Sequence, residues 1–182
     1  MTARREKTLT RQAEDYLKVI YEIEQGGSPA ATTEIAEQLD IAPASVSGML
    51  HRLSRLGLVK VERYRGARLS APGRVVALQL LRRHRVIESF LVTKLGYGWA
   101  DVHAEAERLE HAASAELIDR MADALGNPVA DPHGAPIPTA GGRVDERRLS
   151  SIADLPIGAR ARVVRMSDRD AEFLRYLAKL GI

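Results

Sequence analysis

A short break at residues 40–43 separates two segments with the apolar spacing of α-helices, and this break constrains the fold more than any other feature. The segment before it, TTEIAEQLD, carries Thr32 and Thr33 as predicted N-caps. The segment after it, residues 41–59, has its apolar side chains on one face and small or polar ones on the other. A further amphipathic helix, over residues 10–25, precedes both and is ended by two glycines. The pattern predicts a helix-turn-helix preceded by a supporting helix.

A basic segment with a central glycine, KVERYRGARLSAPG, follows the last of these helices. Its apolar strand positions and its turn residues predict a β-hairpin that turns near Arg65 and Gly66. Three helices followed by a basic hairpin, within residues 1–75, is the order of elements in a winged helix-turn-helix. The alternative is a small helical domain with an exposed basic loop, and the order of the elements favours the winged helix.

Charge is concentrated on this predicted domain. Residues 41–75 contain seven Lys or Arg and one Glu, whereas residues 76–126 contain six Lys or Arg against eight Asp or Glu. The net charge of the whole chain is only +3. A basic block of this kind, on a fold that reads the major groove, predicts double-stranded DNA as a partner.

Small residues at the start of the second helix of the motif would permit close approach to base edges, and flanking arginines would reach phosphates. We expect His51 and Ser47 to contribute to base readout, and Arg52, Arg63 and Arg65 to contact mainly phosphates. The predicted DNA-binding residues are Thr33, Pro43, Ser45, Ser47, Gly48, His51, Arg52, Arg55, Arg63 and Arg65.

An acidic, histidine-bearing stretch, HAEAERLEH, occupies residues 103–111. Read as a helix, it brings Glu107, Glu110 and His111 onto one patch, because side chains three and four apart are neighbours. A second pair at the same spacing, His84 and Glu88, lies on the preceding helical segment. Carboxylates and imidazoles crowded together are stabilised by a divalent cation, so the pattern indicates metal binding. The alternative is a solvated acidic helix face.

Enzymatic use of the same residues is the third hypothesis, namely a hydrolase built on the carboxylates and histidines. The chain has no H-E-x-x-H pattern, no glycine-rich phosphate loop and no nucleophile elbow. We therefore expect a protein that is not an enzyme and has no small-molecule substrate.

Composition excludes several classes of protein and site. The chain has no cysteine, which excludes disulfides and thiolate metal ligands. It has no apolar run long enough to span a membrane, and its polar N-terminus lacks the apolar core of a signal peptide. A cytoplasmic protein without a membrane partner is the expectation.

The rest of the chain predicts further organisation. Residues 76–126 contain three amphipathic helical segments, which predict a helical dimerisation layer. Residues 127–144 are rich in proline and glycine and read as a linker, with His133 as a turn residue and not a ligand. In residues 145–182, ARARVVRM alternates like a strand and DAEFLRYLAKLG has helical spacing.

Five motifs together resemble the DtxR/MntR family of metal-dependent transcriptional repressors over essentially the whole chain. They are AEDYLKVIYEIE, VSGMLHRLSRLGLV, RRHRVIE, WADVHAEAERLEH and PHGAPIP. The resemblance implies a mostly α fold: an N-terminal winged helix-turn-helix, a helical dimerisation domain and the start of an SH3-like (FeoA-like) C-terminal domain. It also implies a homodimer that binds an inverted-repeat operator and controls metal uptake genes.

The resemblance further implies two metal sites. The primary site would be formed by Asp15, Glu107, Glu110 and His111, and the ancillary site by His84, Glu88 and His103. Further ancillary ligands of three-domain relatives would lie beyond residue 182. A metal held by both Asp15 and the 107–111 ligands would link the DNA-binding domain to the dimerisation layer.

Two departures within the family bear on the metal. Iron-sensing relatives have methionine at the position of Asp15 and cysteine at that of Glu107, whereas manganese-sensing relatives have acids at both, as here. Short manganese sensors have glutamate where this chain has Lys18, which argues against their closely coupled two-metal arrangement. An oxygen-rich site with one imidazole favours Mn²⁺, with Fe²⁺ as the alternative. A winged-helix regulator without metal control is the remaining alternative.

Overall fold

The computed structural model describes residues 9–145, 147, 149–168 and 170–181. In this part of the chain it contains seven α-helices, one 3-10 helix and a two-stranded sheet, which confirms the predicted mostly α fold. The contacts divide the chain into two compact units, Met1–Leu80 and Leu81–Ile182. None of the helices in the described ranges is long and apolar enough to cross a membrane.

The first unit is a three-helix domain with a hairpin. Its elements are α1 (Arg11–Glu24), α2 (Thr32–Gln38), α3 (Pro43–Arg55), β1 (Val59–Glu62) and β2 (Gly66–Leu69). Pro43 occupies the first turn of α3, where the N–H that proline lacks would have no helical partner. The predicted winged helix-turn-helix is thus confirmed in element order.

A short β-bridge links the hairpin to the segment between α1 and α2. Strands β1 and β2 pair antiparallel, with Val59 opposite Leu69, and Ala30 forms an isolated bridge with Ala67. The Ala30 N–H donates to the Ala67 carbonyl at 2.8 Å, and the Ala67 N–H donates to Ala30 at 2.9 Å. Gly66 is required beside this bridge, because a Cβ there would lie 2.0 Å from the Ala30 oxygen.

The start of α2 differs from the prediction. The N-cap is Ala31, and both Thr32 and Thr33 lie inside the helix, so their prediction as caps is wrong. The reason is local: the Glu34 carboxylate accepts a hydrogen bond from the Ala31 N–H at 3.0 Å, which satisfies the helix start from its third residue.

Apolar faces of all five elements form the core of the first unit. In α3 the inward residues are Val46, Leu50 and Leu53, as the spacing predicts. The largest buried side chains of the unit are Tyr16, Leu17, Ile20, Ile35, Val46 and Leu53. Because the inward face of α3 is fixed by this packing, its opposite face is left to solvent.

The second unit is a helical layer. The long helix α4 (Ala71–Leu95) begins in the first unit and ends in the second, which also contains α5 (Val102–Leu109) and α6 (Ala115–Ala124). Their core consists of Val86, Ile87, Leu91, Val102, Ala106, Ile118 and Ala122. Helix α5 is shorter than the sequence pattern indicates: Glu110 is its C-cap, and His111 lies in the following turn.

After residue 145 the described chain contains a 3-10 turn (Ile152–Asp154) and the helix α7 (Ala171–Lys179). The predicted C-terminal helix is confirmed. The predicted strand in ARARVVRM is wrong, since residues 159–166 are assigned no strand. Among the described residues, the backbone of this segment makes one hydrogen bond to the rest of the unit, from the Met166 N–H to the His133 carbonyl at 2.9 Å. A β-ladder needs more than one such bond.

Candidate nucleic-acid interface and metal centre

The predicted DNA-binding residues lie on α3 and at the tip of the hairpin, except Thr33, which lies on α2. All of them are exposed: Thr33, Pro43, Ser45, Ser47, Gly48, His51, Arg52, Arg55, Arg63 and Arg65. A cavity of about 300 Å³ lies between helix and hairpin, and Ser47, His51, Arg63 and Arg65 are among its lining residues. The arrangement suits a helix that enters a groove beside a basic wing that follows the backbone.

Tyr64 lies at the hairpin tip, between Arg63 and Arg65, and is not among the predicted DNA-binding residues. Its side chain is 90% exposed, and its backbone has the left-handed φ of 62° that the turn requires. The Arg63 guanidinium lies 4.8 Å from the centre of the Tyr64 ring. An aromatic ring this exposed, between two arginines, belongs to the same basic surface as Arg63 and Arg65.

His84 is the centre of the acidic and histidine cluster in the second unit. Its buried ring stands on α4, with Nδ1 2.6 Å from Glu110 Oε2 and Nε2 3.0 Å from Glu88 Oε1. The Nε2 atom is also 3.1 Å from His103 Nδ1. The structure therefore brings the three predicted ancillary ligands together, and places one predicted primary ligand directly beside them.

The other predicted ligands of this unit surround the same ring. Glu107 is half-buried on α5, with Oε1 3.7 Å from His84 Nδ1 and 3.8 Å from His103 Nε2. His111 Nε2 is 3.4 Å from Glu110 Oε1. Asp15, the remaining predicted ligand, lies half-buried on α1 in the first unit.

Three residues that are not among the predicted metal ligands adjoin the cluster. Asp168 Oδ2 lies 3.6 Å from His103 Nδ1. On the other side of Glu88, its Oε2 atom is 3.8 Å from Nδ1 of the buried His133, which was predicted to be only a turn residue. Asp131 completes this side: its Oδ1 accepts hydrogen bonds from the N–H groups of His133 and Ala135 at 2.8 and 2.9 Å.

Burial and charge act against each other in this cluster. Burial raises the pKa of Glu88, but its contacts with His103, His133 and His84 outweigh burial and hold the pKa well below the ordinary value. Burial lowers the pKa of His133, but Glu88 and the Trp99 carbonyl, 2.7 Å from Nε2, raise it to about 8. Glu88 is thus an anion deep in the unit, held by imidazoles.

The donor set fits a divalent cation. Glu88 Oε2 and His133 Nδ1 are buried and have no hydrogen-bond partner among the described residues, and buried polar atoms of this kind call for one. Asp131 Oδ2 also lacks a hydrogen bond, but it lies 3.5 Å from Arg85 Nε. The second unit contains three groups whose ligand atoms lie within 4.8 Å of one another. They are His84, Glu88, His103 and Asp168; His84, Glu107 and Glu110; and Glu88, Asp131 and His133. Oxygen and imidazole ligands suit Mn²⁺, Fe²⁺ and similar ions.

Three family profiles match the chain. The iron dependent repressor N-terminal DNA binding domain matches residues 8–67, and the iron dependent repressor metal binding and dimerisation domain matches residues 70–139. The FeoA domain matches residues 151–182. The predicted SH3-like C-terminal start is confirmed by this last match.

Curated proteins that are similar in sequence are repressors of the same kind. The iron-dependent repressor IdeR of Mycobacterium tuberculosis is 36% identical over 166 residues, covering 86% of this chain and 71% of the relative. The diphtheria toxin repressor of Corynebacterium glutamicum is 35% identical over 186 residues, covering 97% and 82%.

Solved structures are similar over the same extent. A manganese-dependent transcriptional repressor in complex with manganese has a TM-score of 0.86 and 40% identity, over 93% of this chain and 79% of the other. The manganese regulator SloR has a TM-score of 0.77 and 32% identity, over 96% and 80%. With the winged helix, the carboxylate and imidazole cluster and these matches together, the chain belongs to the iron-dependent repressor family, whose members are metal-dependent, dimeric DNA-binding transcriptional repressors and not enzymes.

Proposed function

We propose that this chain is a Mn²⁺-activated homodimeric repressor that binds an inverted-repeat operator in the cytoplasm and controls metal uptake genes. The observation that carries the proposal is the cluster around His84, in which every ligand atom is a carboxylate oxygen or an imidazole nitrogen. Mn²⁺ gains little from sulfur ligands, so a site without them favours it over softer ions.

The primary site is proposed to consist of Asp15, Glu107, Glu110 and His111. Glu110 is almost completely buried, and Glu107 and His111 are half-buried beside it. Three carboxylates and one imidazole form a hard, anionic ligand set, which suits a divalent cation such as Mn²⁺. Asp15, on the half-buried part of α1, contributes the ligand from the DNA-binding unit.

The second site is proposed to consist of His84, Glu88 and His103, extended by Asp168. The carboxylate of Asp168 is 3.6 Å from the same His103 Nδ1 that lies 3.2 Å from Glu88. His133 Nδ1 lies 3.8 Å from the other oxygen of Glu88, and Asp131 holds His133 by accepting a hydrogen bond from its backbone N–H at 2.8 Å. Second-layer contacts of this kind orient a ligand and raise its basicity.

The proposed regulatory mechanism depends on the primary site having ligands from both units. Asp15 moves with α1, and α1 packs against α2 and β2 of the DNA-binding unit. Holding Asp15 with Glu107, Glu110 and His111 therefore fixes where the recognition helices of a dimer stand. Binding free energy at the ligands then becomes a preference for the DNA-binding arrangement.

Two-fold symmetry of a dimer supports an inverted repeat as the operator. Each half-site would accept one α3, with half-site centres about one helical turn, or a multiple of it, apart. His51 and Ser47 are exposed on the outward face of α3, where base edges are read, and Arg52, Arg63 and Arg65 are exposed where phosphates would lie.

Fe²⁺ is the second candidate activator, because iron-dependent repressors are among the relatives and the same ligands accept Fe²⁺. The test is binding to a randomised inverted-repeat library with Mn²⁺, Fe²⁺, Zn²⁺ or chelator in parallel, under anaerobic conditions at matched free metal. We expect selection of a symmetric site with Mn²⁺ and none with chelator. If the same DNA sites were selected in the presence of chelator, the protein would be a regulator without metal control. If sites were selected only with Fe²⁺, the activating metal would be Fe²⁺ and not Mn²⁺.

A further inference from the structure

The segment formed by residues 163–168 lies against the turn formed by residues 131–135. The Met166 N–H donates to the His133 carbonyl at 2.9 Å. At Gly134 the two backbones nearly touch: a Cβ built there would lie 1.9 Å from the Val164 carbonyl oxygen and 2.9 Å from its carbon. Gly134 also has a left-handed φ of +83°. Only glycine meets both conditions without displacing the segment.

The same segment delivers Asp168 to the metal centre. Asp168 follows Met166 by two residues and reaches the group that contains His84, Glu88 and His103, with all ligand atoms within 4.8 Å of one another. The three partners stand on α4 and α5, whereas Asp168 is held by no helix or strand. Its position therefore depends on how the segment lies against the 131–135 turn.

We propose that Gly134 is a positioning residue of the second metal site, because its missing side chain lets the 163–168 segment come close enough for Asp168 to act as a ligand. The inference rests on the proposed second site. It adds a residue that is not a ligand and that bears on metal affinity only through the path of the backbone.

The size of the expected displacement supports this role. Tight but tolerated contacts of a Cβ begin near 3.0–3.4 Å, so a side chain at Gly134 would have to move the Val164 oxygen by more than 1 Å from its 1.9 Å position. Metal–ligand distances tolerate only about 0.2 Å of deviation. A shift of the segment on that scale would take Asp168 out of the site, while His84, Glu88 and His103 would stay in place on their helices.

The variants are chosen to separate contact from backbone strain. Gly134→Ala introduces both the clash and a left-handed alanine, and Gly158→Ala is the matched control. Gly158 has a φ of +87°, and a Cβ there would meet nothing within 4 Å. Gly134→Asn is the second variant, since asparagine tolerates the left-handed region and still carries a Cβ. Asp168→Asn removes the charge of the proposed ligand and leaves the position of the 163–168 segment unchanged.

Two measurements are made on the full chain. Hydrogen exchange of the metal-free protein reports protection of the Met166 N–H, and core amides of α4 report that the unit is folded. Equilibrium dialysis with Mn²⁺ gives stoichiometry and affinity at the second site. Trp99, the only tryptophan, lies with its ring 5.9 Å from that of His133 and gives a fluorescence signal for the same titration.

We expect both Gly134 variants to lose protection at Met166 and to bind the second Mn²⁺ about 10- to 100-fold more weakly, the range found when supporting residues of metal sites are changed. Gly158→Ala should match the parent protein in both measurements. Combining Gly134→Ala with Asp168→Asn should cost no more affinity than the larger single effect, because both changes remove the same ligand.

Protection at Met166 equal to that of Gly158→Ala would overturn the proposal, and so would fully additive losses of affinity. A parent protein that takes up no second Mn²⁺ would refute the second site itself. That outcome is distinguishable, because the exchange measurement on metal-free protein still shows whether Gly134 sets the position of the segment.

Discussion

His84 Nδ1 and Glu110 Oε2 lie 2.6 Å apart, which joins the middle of α4 to the C-terminal end of α5. The resemblance to relatives assigns His84 to the ancillary site and Glu110 to the primary site, so this bond makes the two proposed sites neighbours. His84 also contacts Glu88 and His103 through its other ring nitrogen. A change at His84 will therefore reach both sites, and a change at His103 will reach mainly one.

The first prediction follows from that bond. His84→Gln should weaken Mn²⁺ binding at both sites, by about tenfold or more each. His103→Gln, the matched change on α5, should weaken mainly the second site. Calorimetric titration of the metal-free proteins separates the two classes of site. An effect of His84→Gln on one class alone would show that the 2.6 Å bond does not couple them.

Substitution of Asp15 tests whether metal binding and DNA binding are coupled. Asp15→Ala should reduce the Mn²⁺-dependent gain in operator affinity by roughly 5- to 150-fold, the usual range of allosteric coupling, with the fold intact. Gln12→Ala, an exposed change on the same helix, is the control. Fluorescence anisotropy with and without chelator measures the gain. Unchanged coupling in Asp15→Ala would refute the proposed mechanism.

Gly66 offers a change that affects DNA binding and not metal binding. In Gly66→Ala the new Cβ would lie 2.0 Å from the Ala30 oxygen, so the hairpin must move away from the body. We expect a loss of about 1–3 kcal/mol in stability of the first unit, and weaker operator binding. Gly57→Ala is the control, because Gly57 also has a left-handed φ (+74°) but nothing lies within 4 Å of its Cβ position. Thermal unfolding and Mn²⁺ dialysis of both variants check this, and an equal loss in the two would assign the effect to backbone strain.

Arg65 should contribute to DNA binding by neutralising the charge of a phosphate. Its side chain is 71% exposed, with Glu62 3.8 Å away as a weak partner. Arg65→Ala should weaken binding to all sequences alike and reduce the slope of log affinity against log salt by about 1. Arg147→Ala, an equally exposed change in the second unit, should leave the slope unchanged. A change in base preference with an unchanged slope would contradict the phosphate assignment.

Metal preference is tested by introducing sulfur ligands into the proposed primary site. Glu107→Cys combined with Asp15→Met gives the primary site the softer ligands of the iron-sensing relatives. We expect activation to move from Mn²⁺ toward Fe²⁺ or Co²⁺. Activation of operator binding is the measurement, because later divalent ions of the first row bind most sites more tightly whether or not they activate. Full activation of the unchanged protein by Fe²⁺, with no response to Mn²⁺, would end the manganese assignment.

Local patterns predicted the winged helix well. The spacing of Val46, Leu50 and Leu53 fixes which face of α3 is buried, and the glycine in RYRGAR fixes the hairpin turn. The alternation in ARARVVRM predicted a strand that is absent from residues 159–166. Alternation states only that a segment could pair, and pairing also requires a neighbouring strand.

The metal centre was harder to predict where its members are far apart in sequence. His133 sits between prolines in a turn, so its local pattern indicates a surface loop. Its burial is created by α4, which puts Glu88 beside it. The Asp131 and His133 spacing in D-P-H-G was the available signal. Asp168 had no local signal: the family resemblance placed further ancillary ligands beyond residue 182, and the approach of Asp168 to His103 depends on the backbone contact at Gly134.

A cluster made only of carboxylates and imidazoles also determines how the protein withstands oxidants. Peroxide inactivates thiolate sensors by converting the ligand sulfur to sulfenic and higher acids. None of the grouped ligands in the second unit contains sulfur, and the chain has no cysteine. Loss of the metal response by oxidation of a ligand sulfur is therefore not expected at these groups, whichever divalent ion they hold.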